Sequence, residues 1–270
     1  PNVKAWLAMD PIFNLTLLSA SAVEVYNTCP LQFKLERDWR IPGEVPAAMQ
    51  YGASMHRVLR TYYDALQFNR PMSGEALLEL FRQDLQQAKI DDPYQHELYE
   101  RQGLQQLGDF LALGRQRVVP DIVATEKEFK IRVGNATVAG RIDRIDRISG
   151  THVAIVDYKT GKPRSQEDAD QSLQLSIYAL AAQECWGYVP DRLMFYNLEN
   201  NQYVSTTRSE RELQEARAKV EDVAGKILSG MFAPKTGHHC SFCAYRNLCP
   251  ATEKLVYANL PAKKAANRSV

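Results

Sequence analysis

At 270 residues, 45% hydrophobic and 24% charged, the chain has enough apolar content for a substantial core, in one large or two small domains. No apolar stretch approaches a membrane span, and 33 Lys and Arg against 32 Asp and Glu leave a net charge of +1, so overall charge announces no nucleic-acid partner. No Gly-x4-Gly-Lys-Ser/Thr phosphate loop occurs, which excludes a recognisable nucleotide-driven motor.

In chain order, residues 1–17 read as an entry arm without strong periodicity. Ser21-Ala22-Val23-Glu24 fits a capping box, opening a short helix that delivers Cys29 and ends at Pro30. A loop over Pro42 to Pro46 leads into a helix from about Ala47 to Gln67, in which Gly52 and His56 are four apart and share a face. Ser73 to Lys89 and Pro93 to Val118 carry apolar residues such as Leu77, Leu78, Phe81 and Leu85 at helical spacing. Those are core positions, so residues 47–118 are expected to form a helical region able to wall a channel.

The period then changes. Glu126 to Val133, Thr137 to Ile148 and His152 to Tyr158 alternate or run apolar as strands do, with turns at Gly134-Asn135 and Ser149-Gly150, giving a three-stranded meander. A helix over Ala169 to Trp186, strands at Arg192 to Leu198 and Tyr203 to Thr207, and a charged helix from Ser209 to about Ser229 follow. The small, basic tail, with Lys263, Lys264 and Arg268, is expected to fray.

Within the meander, Asp157-Tyr158-Lys159 ends the apolar run Val153 to Val156. Residues two apart on a strand share a face, so Asp157 and Lys159 project side by side; alone, such a pair is more often a surface ion pair. If Asp143 stands on the adjoining strand, two carboxylates and a lysine converge. That set suits phosphodiester hydrolysis, the acids holding a hard divalent cation while Lys159 stabilises charge or orients water. Between Lys127 and Arg164 there are nine Lys or Arg residues against four Asp or Glu. Such a rim suits a phosphate backbone, and Arg141 and Arg144, beside Asp143, are the candidates for DNA or carboxylate contacts.

Five cysteines supply a second signal: Cys29, Cys185, and the compact run Cys240-x2-Cys243-x5-Cys249. Three clustered thiols need a fourth ligand. Cys29 completes a set for an iron-sulfur cluster or structural zinc, and His238 or His239 in place of Cys29 keeps zinc open. Cys185, among Ala181, Ala182 and Trp186, fits a small buried hydrophobe. The odd, clustered count and the lack of a signal peptide point to a reducing compartment and hence the cytoplasm.

From about Leu18 to Pro250 the chain resembles the RecB-like branch of the PD-(D/E)XK nucleases. The motifs run in that family's order: Gly52-x-x-x-His56, Glu126-x-x-Phe129, Gly140-x-x-Asp143, Asp157-Tyr158-Lys159 and Gln174-x-x-x-Tyr178. The resemblance implies a restriction-endonuclease-like α/β core (126–207), a mixed sheet flanked by helices, within one nuclease domain spanning 18–250 and followed by a tail at 251–270. It also implies that His56, Asp143, Asp157 and the Tyr158 carbonyl bind Mg2+ or Mn2+, that Lys159 is catalytic, and that Gln174 and Tyr178 support substrate or site. Glu126 is the motif acid, with Glu128 as the alternative. One branch, typified by AddB subunits and CRISPR-adaptation nucleases, carries a [4Fe-4S] cluster on one cysteine before the core and three after it. Cys29, Cys240, Cys243 and Cys249 match that arrangement and would staple the two ends together. The implied partner is DNA, as single strands or ends, with a helicase motor in the same polypeptide or complex, in double-strand-break processing. A start at Pro1 fits a module cut from such a polypeptide. A stand-alone single-strand exonuclease is the alternative, and a catalytically silent DNA-binding module of the same fold is a third reading.

Overall fold

The computed structural model describes residues 17–43, 45–114 and 118–252. The entry arm up to Thr16 and the tail from Glu253, with Lys263, Lys264 and Arg268, lie outside the described residues. The chain divides into two compact units, the larger formed by residues 17–20 and 45–222 and the smaller, among the described residues, by 21–43 and 223–252.

Among the described residues, the larger unit is built on a six-stranded mixed sheet: β1 (Leu17–Leu18), β2 (Asp121–Val133), β3 (Ala136–Ser149), β4 (His152–Lys159), β5 (Val189–Asn197) and β6 (Gln202–Thr206). The expected meander is present, since β2 pairs antiparallel with β3 and β3 with β4, while β4 and β5 are parallel. One edge of β3 carries β2 along its length. Its other edge meets β1 at Thr137 and Val138 and β4 from Arg144 onward, leaving the stretch that contains Asp143 without a strand partner on that side. This gap between two partners positions the site.

Helices cover both faces. Val156 and Tyr158 of β4 pack into a core with α3 (Ala47–Gln67), α4 (Gly74–Gln86) and α5 (Pro93–Gly114), around Tyr51, Met55, Leu59, Leu77, Phe81 and Leu107. Each such side chain contributes roughly 1.5–3 kcal/mol on burial. The opposite face, where Asp157 points, faces α7 (Leu173–Trp186), which is apolar nearly all round, as a helix seated on a sheet must be. The helix expected over Ala169 to Trp186 is two: α6 (Gln166–Asp170) under a Ser165/Asp168 capping box, then a break at Gln171-Ser172, where the Ser172 hydroxyl caps α7. Hydroxyl competition for backbone amides stops one helix and starts the next, a choice that apolar periodicity does not record.

The smaller unit corrects the N-terminal reading. Helix α1 (Ala20–Thr28) begins before Ser21, so Ser21 lies inside the first turn instead of capping it. Pro30 does not end the helical path. It occupies the first position of α2 (Pro30–Phe33), where its missing N–H costs nothing, and a π-helical turn, Lys34–Asp38, continues it. Cys29 sits at the joint, and α8 (Glu210–Leu228) leads to the segment with the other three clustered cysteines. Cys185 is exposed, contrary to the buried hydrophobe expected, with its thiol 3.8 Å from the Lys130 carbonyl. It lies in the last turn of α7, beyond the part seated on the sheet.

Candidate active site

Strand β4 is buried on both faces, so Asp157 enters the interior as part of an apolar strand. Its carboxylate is met on all sides. Gln174 Nε2 donates to Asp157 Oδ1 at 2.9 Å, the Tyr178 hydroxyl donates to the same oxygen at 3.3 Å, and Lys159 Nζ lies 2.8 Å from Oδ2. Lys159 Nζ also donates to Gln174 Oε1 at 2.9 Å, so one amide orients both members of the Asp-Lys pair. Tyr178 is fixed in turn by Gln174 and by an edge-on contact with Phe129.

Asp143 bridges the gap in the sheet. Its Oδ2 accepts the Tyr158 backbone N–H at 2.8 Å, replacing the strand partner that β3 no longer supplies, and lies 3.3 Å from His56 Nδ1. His56 Nε2 sits 3.1 Å from the Tyr158 carbonyl. Glu126 joins from β2 with its backbone in the left-handed region (φ 46°), a strained placement for a side chain other than glycine, and pairs with Arg141. Among the described residues, His56, Glu126 and Asp143 are the one group that brings three ligand atoms within 4.8 Å of one another.

Electrostatics follow from that crowding. Burial pushes the Asp157 carboxyl up, to about 6, and Asp143 adds to it while Lys159 opposes. Burial and then Asp143 likewise raise Glu126. For His56 burial works downward, but Asp143, Asp157 and Glu126 outweigh it and hold the imidazole at about 9. A protonated imidazole among three carboxylates occupies the place where a cation is favoured.

The profile of the PD-(D/E)XK nuclease superfamily matches residues 17–250. The chain belongs to the PD-(D/E)XK nuclease superfamily. It is 26% identical to the Gene 69 protein of Mycobacterium phage L5, over 87% of this chain and 97% of the phage protein, and 24% identical to the Gene 69 protein of phage D29, over the same shares. A solved structure from Eubacterium rectale, described as a "Putative exonuclease", shares the fold at a TM-score of 0.50 and 13% identity, over 92% of this chain and 90% of that one.

Two glycines of the nuclease motifs have steric reasons. A Cβ at Gly140 would lie 2.7 Å from the Phe129 ring, which crosses it from the paired position on β2. A Cβ at Gly52 would lie 2.9 Å from Thr160 Oγ1, so a side chain there would have to displace Thr160 just past the end of β4.

Of the two arginines offered for DNA, Arg141 is half exposed at the cleft. Arg144 is corrected. It is 1% exposed, donates to Asp146 and to the hydroxyls of Tyr158 and Tyr203, and lies on the sheet face opposite Asp143, so it makes the carboxylate contact and does not reach a phosphate backbone there. Sequence reasoning missed Arg60 and Met49, which line a cleft of about 660 Å³ together with His56, Glu126, Arg141 and Asp143. Arg60 is four residues beyond His56, so the helical spacing that selected Gly52 also marks it.

Proposed function

We propose that the chain is a divalent-metal-dependent deoxyribonuclease that hydrolyses phosphodiester bonds, acting on single strands or DNA ends. The observation that carries this is the convergence of His56, Glu126 and Asp143 in an open cleft beside a lysine held by Asp157 and Gln174.

The residues fit a hard cation. Two carboxylates, an imidazole and the Tyr158 carbonyl meet at the gap in the sheet, and Asp157 Oδ2 is buried without an aligned hydrogen bond despite its closeness to Lys159. Oxygen-rich donors of this kind suit Mg2+ or Mn2+. We assign His56, Asp143, Asp157 and the Tyr158 carbonyl as the holders, with Glu126 closing the set. When bound, the cation lowers the pKa of a water and neutralises charge developing on the phosphoryl oxygens. Lys159, its direction fixed by Gln174, orients the attacking water or meets the same charge. Gln174 and Tyr178 position Asp157, and Arg60 and Arg141 on the cleft wall receive the backbone phosphates.

Within this reading we assign a [4Fe-4S] cluster to Cys29, Cys240, Cys243 and Cys249 of the smaller unit. All four line one cavity, and burial, followed by the neighbouring three thiols, raises Cys243. Four cysteine thiolates are the usual ligand set of an iron-sulfur cluster, and structural zinc on the same thiols is the alternative reading.

Two settings suit such an enzyme: a module of a helicase-nuclease that processes double-strand breaks, and a stand-alone nuclease. The phage relatives, matched over 97% of their own length, have no room for a motor domain, which favours the second. The exonuclease mode draws on the description of the Eubacterium rectale neighbour. Linear and circular single-stranded DNA incubated with Mn2+ test it: loss of the linear form alone supports an exonuclease, and linearisation of circles replaces it with an endonuclease.

A further inference from the structure

Each of the three site carboxylates has a cation of the protein's own beside it. Lys159 Nζ stands 2.8 Å from Asp157 Oδ2, His56 Nδ1 stands 3.3 Å from Asp143 Oδ2, and Arg141 Nε is paired with Glu126 Oε2. The three cations differ in how they can yield to an incoming metal ion. Lys159 is tied to Gln174 and stays, and His56 yields by losing a proton. Arg141 cannot shed its charge, but its side chain is 54% exposed against 7% for Glu126, so it is the one with room to move.

Glu126 is fixed. Thr125 and Lys127 on either side of it pair with β3, and its carboxylate meets His56 and Asp143. Burial and then Asp143 disfavour its charge, and Arg141, ahead of His56 and Arg60, offsets them. Arg141 is therefore the counter-ion of the metal-free cleft, and a phosphate approaching it there meets the same carboxylates and is repelled. With a divalent cation among His56, Glu126 and Asp143, Glu126 has a stronger counter-charge and like charge drives the guanidinium off. Its planar fork of donors, already on the cleft wall, then suits a phosphate.

We propose that the Glu126–Arg141 pair is a latch that withholds Arg141 from DNA until the cleft holds its cation, so that metal binding adds one phosphate contact to the grip on the strand. This rests on the nuclease reading and gives it an order, cation first and strand second. By linkage, DNA in turn tightens the cation.

The salt dependence of single-stranded DNA binding tests the latch, because each phosphate contact contributes about 0.7 to the slope of log affinity against log salt. Anisotropy of a labelled oligonucleotide is followed in Mn2+ and in chelator on Lys159→Ala, which keeps every assigned metal ligand while slowing cleavage, or on Lys159→Met if the first does not fold. Adding Arg141→Ala should reduce the slope by about 0.7 in Mn2+ and leave it unchanged in chelator. Comparing the two proteins in one buffer cancels the competition of Mn2+ itself for DNA. Glu126→Gln removes the charge that holds the latch, so on that background Arg141→Ala should cost about 0.7 in chelator as well. An equal loss in Mn2+ and chelator would put Arg141 on the phosphates with or without metal, and no loss in either would take it off the DNA; each overturns the latch. Calorimetric titration of Mn2+ into the same proteins separates the two readings. With Mn2+ bound, a failed latch leaves the nuclease reading standing, whereas a cleft that takes no Mn2+ removes that reading and the trigger of the latch with it.

Discussion

Asp143 Oδ2 accepts the backbone N–H of Tyr158 at 2.8 Å, so a side chain of β3 completes the hydrogen bonding of β4 where the two strands part. One carboxylate thereby serves the fold and the site. Asp143→Ala should leave a buried amide without a partner and cost about 1–3 kcal/mol in denaturant unfolding. Asp143→Asn keeps an acceptor there, so it should unfold nearly as the parent does while losing metal affinity. Equal stability of the Ala and Asn variants would show that the bond contributes nothing.

Metal binding should release a proton. His56 is held at about 9, so it is protonated at neutral pH, and a ligand imidazole must be neutral. Its charged form stabilises the metal-free fold below the ordinary value of 6.5, and that contribution is lost as pH rises through about 9. Mn2+ affinity should therefore rise between pH 7 and 9. Calorimetry in buffers of different ionisation enthalpy should count close to one proton released; none released would remove His56 from the ligand set.

Asp157 should be a burden on the metal-free protein. Its folded carboxyl stands at about 6 against an ordinary 3.8, so the folded chain binds the proton more tightly than the unfolded chain does. Stability then falls as pH rises from about 4 to 6, and the cost stays in force above that. Asp157→Asn should raise the melting temperature at pH 7 in chelator, by roughly 1–3 kcal/mol of stability, while abolishing cleavage. A lower melting temperature at pH 7 would contradict this.

The smaller unit should depend on its thiols. Protein purified without oxygen should absorb near 400 nm, and Cys243→Ala should lose that band together with several degrees of melting temperature. A colourless parent protein containing zinc would replace the cluster, and an unchanged melting temperature in the variant would deny it a structural role.

Much of this was legible in the residues. The helix carrying His56, the meander and the alternation that sets Asp157 beside Lys159 follow from spacing, and the helix bounds Ala47–Gln67 agree with those read from it. Arg144 was not legible. Asp143 and Arg144 are adjacent in sequence, but a strand sends neighbours to opposite faces, so one lines the cleft and the other is buried under Tyr63. Glu126 was uncertain beside Glu128 because its left-handed backbone departs from the strand geometry that spacing assumes. The break between α6 and α7 was hidden for a related reason, since it depends on hydroxyls capturing backbone amides.

The central claim is that this cleft hydrolyses DNA with a divalent cation and Lys159. The most direct measurement is digestion of end-labelled single-stranded and duplex DNA by anaerobically prepared protein with Mg2+, Mn2+ or chelator, beside Lys159→Ala and Asp157→Ala. Metal-dependent loss of label, reduced at least about 100-fold in Lys159→Ala and absent in Asp157→Ala, is the expected result. Cleavage that persists in chelator or in Asp157→Ala, or none by folded, metal-loaded parent protein on either substrate, would contradict it.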